Sequence, residues 1–168
     1  MSVKIIFTKK EIFDRVNVHT IDISDPVGSA KENTTARIAD VIPLTNDDIH
    51  TYYQLMYQAG IKILEYIGAY TTDIDEPYLV TDDTDVDNPD SIIFEMEYHD
   101  DAKPGIITPI VQQSMAEALI FYIVKEWCKM KNFLNAANIV EINYNESLPK
   151  IKSGLMYQHR VKKKYRIM

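Results

Sequence analysis

The sequence predicts a mainly α protein, a bundle of about three to four helices with one β-hairpin, an extended N-terminal arm segment and a C-terminal tail. Two long stretches repeat apolar residues at three- and four-residue steps, the mark of helices with a core-facing side. One short stretch alternates with a period of two, the mark of a half-buried strand. The charge is blocked rather than mixed: residues 71–101 carry twelve acidic groups and no Lys or Arg, and residues 150–168 carry seven bases and no acid. We therefore expect one helical domain over 1–157, with a long loop or arm at 19–44 and an acidic β-hairpin at 78–98, and a basic tail at 158–168.

Residues 8–18 read as a short helix. Thr8 is placed to cap it, Glu11 follows three residues on as a capping box requires, and Ile12, Phe13 and Val16 form its apolar stripe. From 19 to 44, Thr, Ser, Gly, Asn and Asp punctuate isolated aliphatics, and Pro26 and Pro43 disfavour continuous structure. Thr45-Asn-Asp-Asp-Ile49 then opens a stronger helix, with Asp47 and Asp48 at the positive end of its dipole. Ile49, Tyr52, Tyr53, Met56, Ile63, Leu64 and Ile67 give it a core stripe, and Gly68 is its expected stop. Tyr78-Leu79-Val80 and Ile92-Ile93-Phe94 are strand material; Ile93, Glu95 and Glu97 alternate with Phe94, Met96 and Tyr98. Thr108-Pro109 starts the longest helix, proline being tolerated at the first helical position. Within it Ala118-Leu-Ile-Phe-Tyr-Ile-Val124 is apolar on every side and must be buried on every side. Met115, Leu119, Tyr122, Ile123, Trp127 and Met130 continue one face. A last helix is expected from about Phe133 to Met156, kinked or split at Pro149.

Thr81 to Asp90 holds five aspartates in ten residues, and Asp83, Asp85 and Asp87 match positions 1, 3 and 5 of a calcium loop. The match then fails. Position 6, which needs Gly, is Asn88 ahead of Pro89, and position 12, which needs a bidentate Glu, is Phe94. The aspartates are read as a charged hairpin tip rather than a metal site. Cys128 stands alone in an apolar helix and is read as a packed thiol. His19, His50, His99 and His159 are scattered without metal-ligand spacing, and His99-Asp100-Asp101 is read as solvated charge. The five glycines form no phosphate-binding loop, and neither a nucleophile elbow nor an HExxH helix is present. Glu117 and Glu126 lie nine residues apart, about 900° of helix, so they face opposite sides. Neither enzyme chemistry nor a cofactor is expected. No run of eighteen apolar residues marks a membrane span.

The order of segments resembles small proteins of phage and prophage structural gene clusters of gut Bacteroidetes. The resemblance rests on the Phe7-Thr-Lys-Lys-Glu-Ile-Phe13 helix, the acidic-capped Thr45-Asn-Asp-Asp-Ile-His50 helix and the strand from Ile92 to Tyr98. It continues through the Pro-initiated helix to Trp127 and the helix reaching Ile151-Lys-Ser-Gly-Leu-Met-Tyr157, followed by a basic tail. That arrangement also looks like head–tail connector or adaptor proteins, with a longer acidic hairpin here. The resemblance implies a non-enzymatic subunit of the neck of a tailed virion, made in the host bacterial cytoplasm. It implies a homo-oligomeric ring, twelve-fold in such proteins, between portal protein and tail or neck proteins. It implies further that DNA passes nearby without specific recognition and that no membrane is involved. On that reading the opposite charge blocks meet between subunits: Asp82, Asp83, Asp85, Asp87 and Asp90 against Arg160, Lys162, Lys163, Lys164 and Arg166. The residues alone leave a second reading open, a small cytoplasmic interaction or regulatory module whose basic tail contacts nucleic acid.

Overall fold

Ser2–Thr8 forms a strand, β1, which the sequence reading passed over. It alternates in burial: Ile5 and Phe7 point into the core while Lys4, Ile6 and Thr8 face outward. The computed structural model describes residues 2–24, 44–70, 74–81, 91–98 and 108–156. The hairpin strands β2 (Ile74–Thr81) and β3 (Ser91–Tyr98) are antiparallel, and β1 adds to the far side of β3, giving the order β1-β3-β2. The register pairs Ile5 with Phe94 and Phe7 with Ile92. Phe7 and Phe94 meet edge-to-face, centroids 5.8 Å apart at 83°. In β2 the register shifts between Asp75 and Tyr78, where Pro77 has no N–H to give the ladder. Pro77 is tolerated because β2 lies at the edge of the described sheet.

Helix α1 spans Lys9–Ser24, and the Glu11 amide donates to Thr8 Oγ1 at 3.4 Å, as the capping pattern predicts. The expected end at residue 18 is wrong, so the loop or arm does not begin at 19. Thr20 is buried, its hydroxyl donates to the Asn17 carbonyl at 2.9 Å, and His19 packs on Phe121. These tertiary contacts carry the helix through its polar residues. Leu44, the next described residue, is also core, and its amide donates to Thr20 Oγ1 at 3.4 Å. The remainder of the expected arm, 25–43, lies outside the described residues.

A 3₁₀ turn over Asn46–Asp48 leads into α2, Ile49–Tyr70. Thr45 and Asp48 form a reciprocal capping box: the Thr45 amide and hydroxyl donate to Asp48 Oδ2, at 3.2 and 2.7 Å, and the Asp48 amide donates to the Thr45 carbonyl at 3.0 Å. The predicted stripe is core, with Tyr52, Met56, Ala59, Ile63 and Ile67 buried, and the helix ends two residues beyond Gly68.

Helix α3, Thr108–Met130, is the centre of the molecule and packs against α1, α2 and α4. Its run from Ala118 is buried except at Phe121 and Tyr122, which are half-buried. Met130 leaves the predicted face and is exposed. The helix ends in a left-handed cap. Asn132 has φ 65°, its amide donates to the Lys129 carbonyl at 3.0 Å, and the Phe133 amide donates to the Cys128 carbonyl at 2.8 Å. This is the Schellman pattern, with Asn where glycine is commonest.

Helix α4, Leu134–Met156, runs on past Pro149 as one helix, so the expected split there does not occur. Proline denies the Asn145 carbonyl its helical donor. Asn145 and Pro149 both lie on the solvent side, where water can take that role. Tyr144, Ser147, Ile151 and Leu155 hold the opposite face in the core on both sides of the proline. Pro149→Ala is therefore expected to stabilise the fold by roughly 1–3 kcal/mol, measured by urea unfolding. An unchanged midpoint would mean that the helix has already adapted to the ring.

Candidate functional site

The ten residues expected to form a charged interface are Asp82, Asp83, Asp85, Asp87, Asp90, Arg160, Lys162, Lys163, Lys164 and Arg166. All lie outside the described residues, as does the calcium-loop stretch to which the aspartates belong. The described residues hold three other features of functional interest.

The first is a cleft of about 470 Å³ where the starts of α1 and α2 meet. Thr8, Lys9, Lys10, Phe13 and Asp14 line it from one side, and Asn46, Ile49, Tyr52 and Tyr53 from the other. Its volume falls within the range of small-molecule sites. Tyr52 is fully buried, and its hydroxyl donates to the Lys9 carbonyl at 2.8 Å. Phe13 stands edge-on to it with centroids 5.1 Å apart. Lys9 is buried along its stem, and its Nζ lies 3.6 Å from the centre of the Tyr53 ring. Burial first, then the neighbouring Tyr53 and Asp14, drive the Tyr52 phenol far above its ordinary pKa. It stays protonated and structural, so the cleft offers recognition by rings and cations rather than an acid–base pair.

The second feature is Lys125, a cation in an otherwise apolar stretch. Its side chain is 8% exposed and packs beside the paired rings of Tyr122 and Tyr144, with Nζ 4.7 and 4.9 Å from their centres. Glu126 lies 3.2 Å away and Glu141, on α4, 3.7 Å away. Glu126 also takes Lys129 at 3.1 Å. Burial raises the Glu126 carboxyl, but the hydrogen bonds from Lys129 and Lys125 outweigh it and hold it below its usual range. Together with Glu117 and Lys150, 3.7 Å apart, the cluster fixes how α4 lies along α3. The sequence reading singled out Glu117 and Glu126 and missed Lys125. A lone cation between Val124 and Trp127 was the available signal.

The third feature is the outer side of α4. Opposite its buried stripe, Leu134, Ile139 and Ile142 are 62%, 65% and 59% exposed. Asn135, Asn138, Asn143 and Asn145 lie among them, and all are exposed.

Cys128 is fully buried, and burial raises its thiol pKa, as a packed thiol requires. Among the described residues no group of three His, Cys, Asp or Glu side chains is placed to hold a metal ion. No described helix is long and apolar enough to cross a membrane. No protein-family model, curated protein or solved structure matches the chain.

Two expectations follow. Lys125→Met keeps the buried stem against the tyrosines and should cost less than about 1 kcal/mol, whereas Lys125→Ala leaves a gap there and should cost roughly 2–3 kcal/mol in urea unfolding. Equal losses would show that the charge, not the stem, matters. Burial, then Tyr122 and Glu65, push the Tyr144 phenol up to about 12. A phenol raised in the folded state stabilises fully below its unfolded pKa of about 10, and that contribution is lost as pH rises toward the folded value. Stability should therefore fall between pH 10 and about 12, and less steeply in Tyr144→Phe, read from denaturant midpoints across that window.

Proposed function

We propose that the chain is a non-enzymatic structural subunit of a tailed-phage virion, a neck-ring protein at the head–tail junction that contacts portal protein above and tail or neck proteins below. The observation that carries this reading is a well-packed four-helix body that shows solvent a weakly charged, aliphatic helix face at Ile139 and Ile142. Interface centres are depleted of charge in the same way. The bundle-with-hairpin fold agrees with the resemblance stated for the sequence, and the opposite charge blocks at 71–101 and 150–168 supply complementary ends for neighbouring subunits. Contacts between unlike surfaces that close on themselves give a ring.

The test is electron microscopy of the purified chain with the portal protein encoded beside its gene. A ring seated on the portal is expected, and loss of residues 158–168 should abolish its incorporation. Flanking genes for metabolism or regulation, combined with salt-sensitive DNA binding by the isolated chain, would replace this reading with that of a nucleic-acid-contacting module.

A further inference from the structure

We draw no further inference here: the strongest candidate, the cleft where the starts of α1 and α2 meet, carries none, because its buried Lys9 already rests on the Tyr53 ring, its exposed Lys10 and Asp14 are opposite charges that favour no one class of ligand, and nothing in the structure shows what fills it.

Discussion

The burial of α3 is the constraint on which the rest of the structure depends. A helix with Leu119, Ile120, Ile123, Val124 and Trp127 inside has only the strip around Phe121 and Tyr122 to give to water, so it must be walled in by other elements. Helices α1, α2 and α4 supply the walls. The sheet contributes Phe7, Ile92 and Phe94 to the same core cluster. Each outer helix buries one stripe and keeps one side wet. The wet sides are thereby fixed in direction by a core that none of them could form alone.

The orientation of α4 follows from two local devices. The left-handed Asn132 turns the chain within three residues after α3, and Lys125 then ties the new helix through Glu141 and the Tyr144 ring. Neither is strong in isolation: a non-glycine left-handed residue costs about 1–2 kcal/mol, and a partly exposed ion pair contributes little. Their value lies in setting rotation. With Tyr144 held inward, Ile139 and Ile142 have no direction left but outward, so a buried cation on one helix decides what the next shows to solvent.

Much of the architecture was legible in the sequence because it follows from periodicity. The α2 and α3 stripes, the strand around Phe94 and the starts marked by Thr8, Thr45 and Thr108 are all local patterns. What escaped depended on distant partners. Residues 19–24 read as loop because Thr20 is polar, yet its hydroxyl serves Asn17 and Leu44 together. Pro149 read as a break because its cost is local, while the burial that outweighs it comes from α3. Ile6 interrupts the apolar–polar alternation from Val3 to Phe7, and a strand of seven residues, Ser2–Thr8, shows no partner in the sequence. The outward isoleucines of α4 were hidden by their neighbours Val140 and Tyr144, which satisfy the helical pattern by themselves. The charge blocks were the plainest feature of the sequence, and they lie where the described structure does not reach.

The pairing of β1 has a consequence for the order in which the chain acquires its shape. Ser2 faces Glu97 and Thr8 faces Ser91, so β1 borders a strand made some ninety residues later. Closing so long a loop is slow, and β1 has no ladder among the described elements until β3 exists. Until then, Ile5 and Phe7 lack the strand that covers them in the folded sheet. The adjacent helices α3 and α4, joined by a turn of a few residues, can pair without waiting for them. The sheet edge is thus completed by a strand made well before its partner, which makes β1 the segment most dependent on protection during synthesis.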